Sequence, residues 1–163
     1  MNKKLIIILI TIIVISMFVG VIILIDNDIQ MNDCLELIVP KLTKRETTQL
    51  QNRDVFNYEE VKKIYLSKAQ VNKTIKNIKK NKNWKNEKLD ERLKERLEFH
   101  TREEIFYQIP EIENYYWIFT NRSNGVDDKH SVDELLEDGM YYAISFGILD
   151  TDNNVLYYYE YDK

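Results

Sequence analysis

The chain has 163 residues, the first 25 nearly all apolar, which leaves 138 residues for one domain rather than two. Those 138 carry 21 Lys and Arg against 27 Asp and Glu, neither a disordered composition nor the charge balance of a nucleic-acid binder, so no nucleic-acid partner is expected. One cysteine excludes a disulfide framework within the chain and a multi-cysteine zinc site, two histidines leave few ligands for a transition metal, and four glycines outside any GxGxxG or GxxxxGK arrangement exclude the common phosphate loops.

From Leu5 to Ile25 the chain runs 21 residues without a charge, interrupted only by Thr11, Ser16 and Gly20. At a rise of about 1.5 Å per residue such a helix spans the hydrocarbon core once. A cleaved signal peptide fits less well, because its apolar core is about 7–15 residues and ends at a small-x-small site, whereas here Ile22-Ile23-Leu24-Ile25 meets Asp26-Asn27-Asp28. Lys3 and Lys4 precede the segment and Asp26, Asp28 and Asp33 follow it. The positive-inside rule then predicts a cytoplasmic stub over 1–4, an anchor over 5–25, and the rest of the chain outside the cell membrane. Lysine outnumbers arginine 17 to 6 and alanine occurs only at Ala69 and Ala143, the usage of an AT-rich genome, which suggests a low-GC bacterium.

Residues 26–56 show little periodicity, and a short apolar stretch, Cys34-Leu35-Glu36-Leu37-Ile38-Val39, stops at Pro40. They are expected to form a juxtamembrane spacer with at most one short helix. Cys34 reads as a lone juxtamembrane thiol, because Met31-Asn32-Asp33 before it are not the small residues of a lipobox.

The domain is expected over 57–163, and charge divides the outer chain into three parts: residues 26–61 sum to −4, residues 62–96 to +9 and residues 97–163 to −11. Internal neutralisation, with a basic helical layer lying on an acidic one, is the expectation. Asn57 with Glu60 suggests a helix start, and Val61, Ile64, Val71, Ile75 and Ile78 at three- and four-residue spacing predict one amphipathic helix of about six turns. Its outer face would carry Lys62, Lys63, Lys73, Lys76, Lys79 and Lys80. A second helix is expected through Leu89, Leu93 and Leu97, with Asp90 and Lys94 paired and a bend or stop between Thr101 and Pro110. His100, Glu103 and Glu104 give half a metal site, which lacks a second histidine.

The last third reads as β-structure. Strong β-formers alternate over 114–121; Ser131 opens a short helix over Val132 to Asp138 that Gly139 can close; strands follow at Met140 to Leu149 and Val155 to Tyr161. The connection Asp150-Thr151-Asp152-Asn153-Asn154 predicts an antiparallel hairpin. It matches the first half of an EF-hand loop, but places Val155 where glycine is needed and Tyr161 where a bidentate glutamate is needed. Eight of the 11 tyrosines fall in these strands. If one sheet face is buried, Tyr116, Tyr142 and Tyr158 with Glu160 would form an outward contact surface for a protein partner.

The sequence therefore predicts an α+β chain: one transmembrane helix, a spacer, and a helical pair on a three-stranded antiparallel sheet. No nucleophile with a base, metal constellation or cofactor motif is visible, so an enzyme is not expected. The expected function is a membrane-anchored extracytoplasmic protein-binding module, of which an immunity-type protein neutralising a secreted toxin is one form by analogy of architecture. The alternative is an envelope component that binds membrane proteins, glycan, anionic wall polymer or lipid through Lys73, Lys76, Lys79 and Lys80.

Overall fold

The computed structural model describes residues 10–16, 29–40, 43–54, 57–95, 112–123, 128–133 and 143–162. Five strands, β1 (Lys44–Asp54), β2 (Asn57–Tyr65), β3 (Tyr115–Asn121), β4 (Ala143–Asp150) and β5 (Val155–Asp162), form one antiparallel sheet in the order β1-β2-β5-β4-β3. A short helix α1 covers residues 29–35, and α2 runs over Lys68–Ile78. The α+β class stands, with five strands rather than three.

Both faces of this sheet are covered, so β3, β4 and β5 are nearly continuous apolar runs instead of alternating ones. One face presents Ile64, Ile118, Leu149, Leu156 and Tyr158 to Met31, Leu35, Leu37 and Val39 of the α1 segment, to Val71 and Ile78 of α2, and to Trp84. The opposite face presents Val61, Trp117, Phe119, Phe146, Ile148, Tyr157 and Tyr159 to Leu89, Leu93, Ile112 and Val132.

This doubly covered sheet corrects three expectations. Residues 29–39 are not a spacer: Met31 and Leu35 are each 1% exposed, Cys34 is buried, and β1 extends the sheet. Residues 57–65 are not helical. Val61 and Ile64 lie on opposite faces of β2, so their spacing of three satisfies a two-sided strand as well as a helix. The helix begins only at Ser67, whose Oγ accepts from the Gln70 N–H at 3.3 Å while the Ser67 N–H donates to Gln70 Oε1 at 2.7 Å, a capping box. Lastly, Tyr157, Tyr158 and Tyr159 are all buried, so β5 has no outward tyrosine set.

The β4–β5 hairpin forms as expected. The Asp150 carboxylate accepts from the Asp152 and Asn153 backbone N–H groups at 3.0 and 2.9 Å and from Asn153 Nδ2 at 2.8 Å, and Asn154 takes φ 58°, so the acid closes the turn. Around the second expected helix, residues 91–95 are helical, and Asp90 pairs with Arg92 at 2.9 Å. The segment with His100, Glu103 and Glu104, most of the helix after Ser131, and Tyr142 lie outside the described residues. So does most of the expected anchor. No helix among the described residues is long and apolar enough to cross a membrane.

Helix α1 is fixed at its carboxyl end by other elements. The Cys34 carbonyl accepts from Thr120 Oγ1 at 2.7 Å and the Leu35 carbonyl from Trp84 Nε1 at 2.8 Å, satisfying acceptors that a helix end leaves without intrahelical donors. Glu36 then turns the chain at φ 48°. The sheet makes room for α1 at Gly147, where a Cβ would stand 2.3 Å from Leu35 Cδ2 and 3.3 Å from Ile118 Cγ2.

Gly147→Ala should therefore destabilise the protein by about 1–3 kcal/mol and Leu35→Ala by about 2–5 kcal/mol. In urea unfolding of the full chain, the double variant should cost less than the sum by about 1 kcal/mol or more, because the new methyl fills space vacated by Leu35. Strict additivity would contradict the packing of Leu35 over Gly147.

Candidate functional site

Helix α2 sorts its residues cleanly. Val71, Thr74 and Ile78 are buried on the sheet side, while Lys68, Lys73 and Lys76 are exposed, and Lys79, Lys80 and Lys82 continue the exposed series beyond its end. None of these six lysines forms an ion pair with a described residue, although the chain has 27 acids. Among the described residues, then, the basic layer is not neutralised by an acidic one and stands as a positive field on one side of the molecule. The four lysines singled out from sequence lie together here, and Lys68 and Lys82 join them.

The expected tyrosine and acid surface is distributed differently. Tyr158 is 0% exposed and Glu160 6% exposed, on the sheet face beneath α1. Register places Glu60, Glu160, Ser145 and Thr120 side by side across β2, β5, β4 and β3, so one row of the sheet is polar and buried. Two carboxylates directly opposite each other repel unless each has a cation. Lys62 forms an ion pair with Glu60, and Arg122 Nη1 lies 2.9 Å from Glu160 Oε1. Gln30 Nε2 of α1 donates to the same Glu160 oxygen at 2.6 Å.

Burial first, then the adjacent Glu160 charge, pushes the Tyr158 phenol far above its ordinary value, so it stays protonated. Its single proton goes to Glu160 Oε2 at 3.2 Å, which leaves the Ser145 hydroxyl, also at 3.2 Å, to donate to the phenol oxygen. These groups satisfy one another inside the protein. Their chemistry is that of a seam between α1 and the sheet rather than of a contact surface.

A second polar cluster, not anticipated from sequence, joins three loops. Glu36 Oε2 accepts from Asn81 Nδ2 and Asn83 Nδ2, each at 2.8 Å, and Glu36 Oε1 lies 3.1 Å from His130 Nε2. The other ring nitrogen of His130 faces the Phe119 carbonyl at 2.7 Å. Partial burial raises the Glu36 pKa, but the hydrogen bonds from Asn81, Asn83 and His130 together outweigh it and hold the carboxyl below its usual range. The cluster also helps to cover the outer edge of β3, where Lys85 pairs with Trp117 in both directions at 2.8 Å and the Lys129 carbonyl accepts from the Asn121 N–H at 2.7 Å.

Tyr116, the remaining described member of the expected tyrosine set, is half-buried on this edge strand. It lines an open cleft of about 520 Å³ with Lys88, Asn114, Tyr115 and Thr151 among its walls. Tyr115 is fixed there by the Leu89 N–H, which donates to its hydroxyl at 3.0 Å.

In comparisons with protein families, curated proteins and solved structures, no family model, curated protein or solved structure matches this chain.

Because Glu36 titrates below its ordinary value of 4.5 when folded, its contribution to stability is fully present above that value and is lost as pH falls through the folded pKa. Glu36→Gln should lower stability at neutral pH by about 0.5–1 kcal/mol, the carboxylate being partly exposed. The urea midpoint of the variant should also decline less steeply than that of the parent as pH falls below 4.5. Parallel declines would show that the three donors do not favour the charged form.

Proposed function

We propose that the chain is a single-pass, membrane-anchored binding module with its folded domain on the extracytoplasmic side, and that its working surface is the lysine face of α2, which meets an anionic component of the cell envelope. The observation that carries this reading is the set of exposed lysines along Lys68–Lys82 without carboxylate partners among the described residues. A fixed excess of positive charge on one face raises the local concentration of anions and favours polyanions over small ones, since each added charge contributes to one encounter.

Anchoring rests on the uncharged run from Leu5 to Ile25 and its flanking charges. The helical residues within that run agree with it: Ile10, Ile12, Ile13, Val14 and Ile15 are 46% to 58% exposed, so the folded domain does not cover them. Apolar side chains bare on all sides of a helix call for a hydrocarbon environment.

A protein partner, including a secreted toxin to be neutralised, is the second reading. It is favoured by the cleft at the β3 edge, where the half-buried Tyr116 offers an amphipathic ring beside polar side chains. The two readings use different surfaces and are separable by substitution.

The test is titration of the full chain in uncharged micelles with poly(glycerol phosphate). Saturable binding that weakens as salt rises is expected, and combined substitution K73E, K76E, K79E and K80E should weaken it at least tenfold while Tyr116→Ala leaves it unchanged. Absence of binding, or binding indifferent to the four reversals, would contradict the lysine-face reading.

A further inference from the structure

The packing of α1 changes how far the domain can stand from a membrane. If the anchor ends at Ile25, only residues 26–28 separate it from α1, which is helical from 29 and buried in the core from Met31 onward. Fully extended, three residues reach about 11 Å, close to the screening length of about 8 Å at physiological ionic strength. A spacer of some thirty residues would have freed the domain from the field of the headgroups. Three residues do not.

The same packing decides which side of the domain the chain arrives on. Met31 and Leu35 of α1 belong to one core cluster with Val71 and Ile78 of α2, so both helices cover the same sheet face. The exposed lysines of α2 lie on the outer side of that layer, the layer through which the tether enters. The other sheet face is covered by Leu89, Leu93 and Val132 and carries no tether. Asp26 and Asp28 in the tether, the exposed Asp33 on α1 and the exposed Glu36 at its end would oppose approach to an anionic surface, but they are four charges against six from Lys68, Lys73, Lys76, Lys79, Lys80 and Lys82.

Resting on the anchored reading above, we infer that the anionic component met by the lysine face is the headgroup layer of the same membrane that holds the anchor, so that α2 docks the domain onto the outer leaflet in one orientation. The short tether makes the contact intramolecular, and its effective concentration lets individually weak lysine–headgroup attractions act together. Long lysine stems reach the headgroups without insertion of apolar side chains, since Val71 and Ile78 are committed to the core.

The experiment places the full chain in nanodiscs of phosphatidylcholine alone or with one third phosphatidylglycerol, and measures amine-labelling rates residue by residue. In the anionic discs at low salt, Lys73, Lys76, Lys79 and Lys80 should label at least threefold more slowly relative to the exposed Lys129, and half-molar salt should restore the rates. Equal rates in both discs would overturn the inference. Protection that appears only when poly(glycerol phosphate) is added would also overturn it, while leaving the lysine face as the working surface. A chain that does not co-elute with either disc would overturn the anchored reading itself and the docking with it.

Discussion

The seating of α1 on the sheet at Gly147 is the contact on which the rest of the molecule depends. A strand residue with no side chain leaves a slot that the Leu35 side chain occupies, and a Cβ there would stand only 2.3 Å from Leu35 Cδ2. That one approach brings Met31, Leu35, Leu37 and Val39 into the core, each below 7% exposure. Burial of an aliphatic side chain contributes about 1.5–3 kcal/mol, so these four together rival the net stability of about 5–15 kcal/mol expected of a whole domain. Without α1 the sheet face carrying Ile118, Leu149 and Tyr158 would keep only α2 and Trp84 of its present cover. On the anchored reading proposed above, the same contact would leave only residues 26–28 between the anchor and the domain.

Beside this apolar contact runs the polar row of Glu60, Glu160, Ser145 and Thr120, which acts less as glue than as a register mark. A buried ion pair gains little over apolar packing, but an unmatched buried charge is costly. Gln30 and the Cys34 carbonyl on α1 meet Glu160 and Thr120 on the sheet, so a helix shifted along the sheet would lose both partners. Aliphatic side chains alone tolerate such slippage. The hydrogen-bonded row gives α1 one seat.

How much of this was legible in the sequence follows from where each signal is local. The β4–β5 hairpin and β3 are encoded by adjacent residues, the Asp150–Asn154 turn and the Tyr115–Thr120 run, and both are found where the sequence puts them. The lysine series was legible in part: Lys73 and Lys76 fall on α2 with Lys79 and Lys80 just past its end, but Lys62 and Lys63, expected on the same face, lie on β2 instead. The strand β2 was not, because Val61 and Ile64 serve a two-sided strand with the same spacing that serves a helix, although Ser67 and Gln70 already carried the capping signature of the true helix start. Nor was the role of residues 29–39, whose apolar side chains show no period because one short helix and an extended tail each bury a few of them. Burial of Tyr158 and Glu160 was hidden for the same reason: it depends on what covers the sheet from 130 residues away, as the Gln30 to Glu160 hydrogen bond illustrates.

In functional terms the fold turns an apparent spacer into a core element and a supposed aromatic surface into an internal seam, leaving exposed the lysine series of Lys68–Lys82. The proposed tether length, orientation and working surface all depend on α1 being an integral part of the domain. Amide hydrogen exchange on the full chain tests that most directly. Amides of 33–35, past the first turn of α1, should exchange with protection comparable to those of β4 and β5, since helix and sheet would open together. Rapid exchange at 33–35 with the strands still protected would contradict that dependence, because a sheet that stays closed without α1 does not need it.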